Sequence, residues 1–253
     1  MARRDVNASS YLATLAWSPR PQARTLSLPE QIAHGVGNAI IDGQYDAGTR
    51  ILEQDLATQF QVSRGPVREA LRILERDGLV QLTARRGAQV VQFDRDELKQ
   101  IFHVRAALLG LAARLATERQ DRDFITELRN GVNTAGLLAR TEDDADAYVA
   151  TVTRMNLALA AASGNKYLRS IMFSLAHQTI RYTRLGLASK ERRLESSKNW
   201  RRLLTAIENG DGNAAAKLAE ILVLDSQDAA LRLLDREAAQ RSNKRRGRKK
   251  LRR

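Results

Sequence analysis

The chain has 253 residues, no cysteine and a formal net charge of +13. The lack of cysteine excludes a disulfide framework, a cysteine nucleophile and a cysteine-based metal site, and it fits a reducing cytoplasm. The longest apolar run, residues 106–113, is far too short to cross a membrane, and the first 20 residues lack the apolar core of a signal peptide. We therefore expect a soluble cytoplasmic protein with two domains and no membrane partner.

The positive charge is concentrated at the two ends of the chain. The last thirteen residues, RSNKRRGRKKLRR, carry nine Lys or Arg and no acidic residue, and residues 1–25 carry four Arg against one Asp. The region between them is nearly neutral. Such ends suit a polyanion such as DNA or RNA, although a solubilising tail would have the same composition. We expect residues 1–25 and 238–253 to be disordered.

The N-terminal third predicts three helices. Their expected bounds are 27–42, 53–60 and, for the third, Ser63 to the stop signal Asp77-Gly78. GQYDAGTR, between the first two, predicts a turn. Because Pro66 lies in the first turn of the third helix and has no N–H, the Ser63 hydroxyl is expected to cap the helix through the Gly65 amide.

The pattern changes from helical to alternating after Gly78. LVQLT alternates apolar and polar residues, ARRGA predicts a turn, and QVVQF is extended again. This is typical of a β-hairpin with Arg85, Arg86 and Gly87 at its tip. Only Gln61-Val62 separates the second helix from the third, so residues 26–93 predict a helix-turn-helix with a wing.

The third helix has an apolar side and an arginine side. The apolar side is Val67, Ala70, Leu71 and Leu74, and the arginines are Arg64, Arg68, Arg72 and Arg76. In a helix-turn-helix the N-terminal end of this helix enters the major groove, so Arg64 and Arg68 are placed to pair with guanine or phosphate. Gly65 would let the backbone approach DNA. For the two later arginines, ion pairs with Glu69 and Glu75 are the better interpretation.

The 187 residues after Pro66 contain no proline and are rich in Ala, Leu and Arg. Six helical segments are predicted there, over 94–119, 121–140, 144–163, 165–186, 190–209 and 211–236. They indicate an all-α bundle over residues 94–237. The predicted fold class is thus mainly α, with a winged helix-turn-helix followed by a bundle of six or seven helices.

VSRGPVREALRILERDGLVQLTARRGAQVV resembles the winged-helix motif of the GntR family of bacterial transcription regulators. The resemblance covers about 65 residues, and Gly65 stands where Thr or Ser is usual. It implies DNA contacts from Arg64, Arg68 and the wing glycine, Gly87, and it places another frequent contact at Gln54. The full set of predicted DNA-binding residues is Gln54, Ser63, Arg64, Gly65, Arg68, Arg86 and Gly87.

The C-terminal region is similar to the ligand-sensing FCD domain of the FadR subfamily. The pieces that carry the resemblance are IFHVRAALLGLAARLA, AAASGNKYL and LLTAIENGD, within residues 95–235. The resemblance implies six or seven helices around a central cavity. It also implies a homodimer in which each protomer reads half of a short inverted repeat in double-stranded DNA.

Many members of that subfamily hold a divalent metal with one Asp and three His. The matching positions in this chain are Val152, Asn156, Trp200 and Leu222. Only the Asn156 amide oxygen is a donor, and it is a weak one, so we predict no metal and no cofactor. The three histidines, His34, His103 and His177, share no ligand spacing and fit packing or surface roles.

Arg105 matches an arginine that often faces the cavity in this subfamily, where it could hold a carboxylate or phosphate. An ion-paired structural residue is an equally good interpretation. The complete predicted effector site is Arg105, Asn156, Arg181, Tyr182, Trp200 and Leu222. The apolar bulk of Trp200 and Leu222 favours an acidic effector with an apolar body, such as an acyl-CoA or an aromatic acid.

These observations predict a sequence-specific DNA-binding transcription regulator, with repression as the expected mode. A small acidic metabolite would change its operator affinity by binding the helical domain better in one arrangement of the DNA-binding heads. A second hypothesis is a regulator whose sensor is degenerate and serves only to dimerise. A stability shift with any small molecule separates the two. An enzyme is disfavoured, since the sequence has no Glu-x-x-His pair, nucleophile motif or phosphate loop.

Overall fold

The chain folds around two hydrophobic cores, one in each predicted domain. The computed structural model describes residues 26–41, 43–83, 87–141 and 145–250, with side chains described as far as residue 236. Residues 1–25, the wing-tip residues Arg85 and Arg86, and the last three residues of the predicted tail lie outside this part of the chain. The predicted fold class, a winged helix-turn-helix followed by a helical bundle, is confirmed.

The N-terminal domain contains three helices and a small antiparallel sheet. The helices are α1 (Leu28–Ile41), α2 (Glu53–Phe60) and α3 (Arg64–Arg76), and the strands are β1 (Arg50–Ile51), β2 (Val80–Thr83) and β3 (Gly87–Val90). The strand order is β1-β3-β2. In this sheet Val80 pairs with Val90 across the hairpin, and Arg50 pairs with Gln89.

The first strand corrects the sequence analysis, which predicted only a turn at GQYDAGTR. Arg50 and Ile51 pair with β3, and the Ile51 side chain is buried in the N-terminal core. A strand of two residues is too short to show an alternating pattern, so only its pairing with a distant segment identifies it.

The capping prediction at Ser63 was wrong. Ser63 is the N-cap of α3, but its hydroxyl accepts no hydrogen bond there and the residue is exposed. The first helix of the second domain does have a full capping box, because Asp94 accepts from the amides of Asp96 and Glu97 while Glu97 accepts from the amide of Asp94. This fixes the point where the chain leaves the wing and enters the bundle.

The C-terminal domain is a bundle of six helices within the described residues. They are α4 (Arg95–Arg119), α5 (Arg122–Leu138), α6 (Ala145–Ala162), α7 (Lys166–Gly186), α8 (Lys190–Glu208) and α9 (Gly212–Lys250). The last helix continues through residues 238–250, where we predicted disorder. Those residues contain no proline and are mainly Ala, Gln, Lys and Arg, which are good helix formers, so nothing stops a helix that the bundle has already nucleated.

Helix α7 connects the bundle to the winged domain. The Tyr182 Oη accepts a hydrogen bond of 3.0 Å from the amide of Phe93, in the linker that follows the wing. Arg184 donates to the carbonyl oxygen of Ile41 at the end of α1, at 3.1 Å. Two hydrogen bonds thus join α7 to the end of the wing and to α1.

Candidate DNA-binding surface and effector site

Helix α3 is held by its apolar side and presents its arginines to solvent. Val67, Ala70, Leu71 and Leu74 are each at most 1% exposed, as the sequence pattern predicts. The four arginine side chains are exposed on the other side. Because the apolar side fixes the helix to the domain core, the guanidinium groups are presented on a rigid support.

The predicted contact residues of α2 and α3 lie together on one surface. The Arg64 Nε donates to the Gln54 Oε1 at 2.9 Å, and the Arg68 Nε donates to the Glu53 Oε2 at 2.8 Å. Gln54 and Glu53 belong to the first turn of α2, so these contacts orient both arginines across the turn between the helices. A surface that places Arg and Gln side by side can bind phosphate and base edges.

The two later arginines of α3 make local contacts instead. Arg72 pairs with Glu69 at 2.8 Å, as predicted, whereas Arg76 lies 3.6 Å from Asp77. The predicted pair with Glu75 is absent from the described contacts, because the Glu75 carboxylate accepts from the amide of Leu82 in β2 at 2.9 Å. Glu75 thus connects α3 to the wing.

Two glycines of the predicted interface differ in what the fold requires of them. Gly87, in the wing, has a φ of +80°, and a Cβ there would lie 2.4 Å from the carbonyl oxygen of Ile51. The fold itself therefore requires glycine at this position. Gly65 is different, because the nearest atom to a Cβ there is the Ser63 Oγ at 3.9 Å. The space in front of Gly65 is open to a partner.

In the second domain, Arg105 of α4 is a buried cation with no acidic partner among the described residues. It is 3% exposed, and its Nη1 donates to the Thr179 Oγ1 at 3.0 Å and to the Thr183 Oγ1 at 2.8 Å. Its guanidinium also lies over the Phe102 ring, 5.6 Å from the centroid. Burial lowers the pKa of Arg105 to about 10, so the charge is retained at neutral pH.

Sequence reasoning missed Thr179 and Thr183. They lie four residues apart on α7 and so share one face of the helix. A polar i, i+4 pair in an otherwise apolar helix face is a signal that could have been found. The pairing of these hydroxyls with Arg105, however, depends on how α4 and α7 pack.

The other predicted effector residues do not all lie in one place. Tyr182, Trp200 and Leu222 are buried members of the same hydrophobic core, and Asn156 is also buried, with no hydrogen-bond partner for its Oδ1 among the described residues. Arg181 is not brought to Arg105. It lies about 200° around α7 from Thr179, and its Nη2 is 3.6 Å from Asp46 in the winged domain.

The metal positions implied by the resemblance do not fit a metal ion. Val152, Trp200 and Leu222 are buried apolar side chains, which leaves the amide of Asn156 as the sole donor of the four. Within the described ranges there is no group of three His, Asp or Glu residues that could hold a metal ion. The three histidines lie on α1, α4 and α7, on separate helices.

In the part of the chain that the structure describes, no helix is both long enough and apolar enough to span a bilayer.

Two protein-family models match the two domains. Residues 28–90 match the model described as bacterial regulatory proteins, gntR family, and residues 100–224 match the FCD domain. The matches correspond to the winged domain and to the larger part of the helical bundle.

Among curated relatives, the HTH-type transcriptional regulator LutR of Bacillus subtilis is 30% identical over 182 residues, which cover 64% of this chain and 82% of LutR. A probable D-xylose utilization operon transcriptional repressor of Paenarthrobacter nicotinovorans is 26% identical over 75% of this chain and 82% of its own length. Two other relatives are matched over less of their length. The regulator YdhC of B. subtilis is 37% identical over 35% of this chain, which spans only 40% of YdhC. BphR of Paraburkholderia xenovorans is 32% identical over 48% of this chain, which spans 49% of BphR.

The solved structure of E. coli McbR/YncC has the same fold. It aligns with a TM-score of 0.69 and 19% identity, over 83% of this chain and all of McbR.

Proposed function

The chain belongs to the GntR family of bacterial regulatory proteins, and from this premise we propose that it acts as a homodimeric repressor at a short inverted-repeat operator in the bacterial cytoplasm. It is a DNA-binding transcriptional regulator with an FCD effector-binding domain, and it is not an enzyme. Repression is supported by the relative from P. nicotinovorans, which is described as a probable operon repressor.

The DNA contacts are proposed on the surface shared by α2, α3 and the wing. The observation that carries this proposal is the pairing of Arg64 with Gln54 and of Arg68 with Glu53, which holds two guanidinium groups at the N-terminal end of α3. That end of the helix adds partial positive charge where phosphates approach. The proposed contact residues are Gln54, Ser63, Arg64, Gly65, Arg68, Arg86 and Gly87.

For the effector, we propose a small acidic molecule with an apolar body, held without metal. Arg105 carries the proposal, because its hydrogen-bond partners are hydroxyls and no described acid supplies the counterion that a buried charge requires. A carboxylate or phosphate of the effector would supply it. The Asn156 amide would give a second polar contact, with Tyr182, Trp200 and Leu222 around the apolar part.

The route from effector to DNA runs along α7. Thr179 and Thr183 contact Arg105, while Tyr182 and Arg184 of the same helix bind the winged domain. An anion that draws Arg105 away from these hydroxyls changes the packing of α7 against α4. The fraction of molecules whose DNA-binding heads are arranged to fit the operator would then rise or fall, and the affinity for the operator would change with it.

The DNA part is tested by selecting random-sequence duplexes with the purified protein at moderate salt and sequencing those retained. An inverted repeat with short half-sites is expected, because two protomers related by a twofold axis read symmetric half-sites. Recovery of duplexes without a common sequence would contradict the proposal and leave a non-specific DNA-binding protein.

The effector part is tested by thermal stability with acidic probes, such as benzoate and a long-chain acyl-CoA. Binding to the native state raises Tm in proportion to the logarithm of free probe concentration above Kd. A rise with an acidic probe, absent for the corresponding amide or alcohol, is expected. If no acidic probe shifts Tm, the alternative of a degenerate sensor that serves only dimerisation becomes the better interpretation, since Trp200 and Leu222 already fill part of the interior.

A further inference from the structure

A second basic feature lies at the end of the bundle, away from Arg105. The C-terminal end of α7, the start of α8 and the later part of α9 enclose a cleft of about 150 Å³. Its lining includes Arg192, Arg232 and Arg236, the apolar side chains of Leu185 and Leu233, and Ser189 at the cap of α8. None of the described residues that line the cleft is acidic, so its walls carry three positive charges.

These arginines are incompletely neutralised by the rest of the protein. Arg192 pairs with Glu195, but its Nε is buried and has no hydrogen-bond partner in the described structure. Arg232 and Arg236 form no ion pair with any described residue. They lie four residues apart on α9, so two like charges share one helix face and repel each other. Two acidic groups lie close to these arginines. Glu195 is already paired with Arg192, and Asp225 is close enough to Arg192, Arg232 and a further carboxylate, Asp228, for their charges to influence it.

The N-terminal end of α8 contributes little to the positive charge of the cleft. Glu191 lies in the first turn of α8, and its carboxylate accepts hydrogen bonds from the Ser189 hydroxyl and from its own backbone. The positive end of the helix is thereby partly neutralised. The positive charge that would attract an anion belongs to the guanidinium groups of two different helices, which converge on one cleft.

We propose that this cleft binds a small multivalent anion, carrying either a phosphoryl group or two to three carboxylates. Three guanidinium groups provide more donors and more charge than a single carboxylate can match, whereas a phosphoryl group or a tricarboxylate accepts from several at once. Leu185 and Leu233 leave room for a short carbon skeleton beside the charged part.

The cleft is separate from the effector site proposed at Arg105. Asp235 of α9 pairs with Arg95 in the first turn of α4, so the part of α9 that lines the cleft lies level with the start of α4. Arg105 is ten residues further along α4, which corresponds to about 15 Å of helix. Arg105 is not among the side chains that line the cleft, so the two proposals rest on different residues and either can fail without the other.

The cleft lies near the contacts between the bundle and the winged domain. Leu185 follows Arg184, which donates to the carbonyl oxygen of Ile41 in the winged domain, and Arg95 directly follows the linker from the wing. An anion bound between α7, α8 and α9 would tie together the end of the bundle that holds the DNA-binding head.

The test is calorimetric titration of the full-length protein with pyrophosphate, inorganic phosphate and citrate, at an ionic strength kept constant with KCl. The double variant Arg232→Gln/Arg236→Gln removes two charges of the cleft. Its matched control, Arg245→Gln/Arg246→Gln, removes two charges from the same helix in the basic C-terminal segment. The control matters because that segment attracts anions without a built site.

We expect the cleft variant to bind at least one probe about tenfold more weakly than the wild type, because each lost guanidinium removes a charge-assisted hydrogen bond. The control should change the same affinity less than about twofold. A preference for pyrophosphate would assign a phosphorylated ligand, and a preference for citrate would assign a polycarboxylate. Arg105→Met should leave this binding unchanged.

Three results would overturn the proposal. Equal weakening in both double variants would mean that the C-terminal segment binds the probes. No measurable binding of any probe to the wild type would mean that the arginines have another role. Dissociation of a dimer by Arg232→Gln/Arg236→Gln, without an effect on anion binding, would mean that acidic groups of a second copy occupy the cleft.

Discussion

Replacement of Arg105 by methionine separates a ligand-binding arginine from a structural one. Methionine keeps the length and the apolar stem but removes the charge. If Arg105 awaits an anionic effector, the free protein holds a buried charge whose hydrogen-bond partners among the described residues are the hydroxyls of Thr179 and Thr183. The substitution should then stabilise the free protein while it abolishes effector binding. A structural arginine would behave in the opposite way.

The magnitude follows from the contacts. Apolar replacement of buried ionic groups is often neutral or stabilising by about 1–4 kcal/mol even where the charges are paired. Arg105 has no acidic partner in the described structure. The Thr179 hydroxyl already donates to the carbonyl oxygen of Leu175 at 2.6 Å. Removal of the Arg105 guanidinium therefore leaves few unsatisfied groups. We expect the free energy of unfolding to rise by about 1–2 kcal/mol. For a domain of this size each kcal/mol corresponds to about 2–4 °C in Tm.

The chain offers a matched control in Arg193, which is 1% exposed. Its guanidinium donates to the carbonyl oxygens of Ala188 and Thr141, both at 2.8 Å. Arg193→Met leaves both carbonyls without this donor, at about 1–3 kcal/mol for each. This variant should therefore lower the free energy of unfolding by about 3 kcal/mol.

The assay is chemical denaturation of wild type, Arg105→Met and Arg193→Met, followed by circular dichroism and repeated with an acidic probe that stabilises the wild type. Arg105→Met should lose about 100-fold in affinity for that probe, as expected for a lost bidentate charge-assisted contact. If Arg105→Met destabilises the free protein as much as Arg193→Met does, Arg105 is structural and the effector proposal is wrong.

Three further predictions concern DNA binding and pH. Arg64→Ala should weaken binding to the selected operator by about tenfold to 100-fold in a mobility-shift assay, whereas Arg72→Ala on the same helix should change it less than about threefold. Equal effects would contradict the proposed contact surface. Deletion of residues 241–253 should weaken specific and non-specific binding alike and reduce the slope of log K against log salt, because that segment carries nine cationic residues; an unchanged slope excludes phosphate contacts from it. Burial lowers the pKa of His177 from 6.5 to about 4, so the stability contributed by its neutral form is present above pH 6.5 and is lost as pH falls toward 4. His177→Leu should flatten the pH dependence of unfolding in that window, and replacement of the exposed His103 should not.

Much of the fold could be predicted from the sequence because its signals are local. Val67, Ala70, Leu71 and Leu74 recur at helical spacing, and that spacing alone indicates which side of α3 is buried. The breaks at Gly164-Asn165 and Gly210-Asp211 mark the starts of α7 and α9 for the same reason, since Gly and a polar cap end one helix and begin the next.

Two of the errors arose where a distant segment decides the local structure. Arg50 and Ile51 form a strand only because β3 lies beside them. Arg50 pairs with Gln89, 39 residues later, and Ile51 pairs with Ala88, 37 residues later. Ser63 looked like a capping residue by type, yet its hydroxyl stays unbound at the exposed end of α3. Arg181 looked equivalent to its neighbour Tyr182, but it lies on the side of α7 that faces Asp46.

By itself the sequence determined the helices, the arginine side of α3 and the identity of the residues at the metal positions, because each depends on residue type and short-range spacing. Tertiary structure alone decided that Arg105 has Thr179 and Thr183, and no acid of the described residues, for partners, and that arginines from α8 and α9 meet in one cleft. Those contacts join residues up to 78 positions apart. The spacing within a single helix specifies which face is buried, but it does not specify which residues of another helix that face will meet.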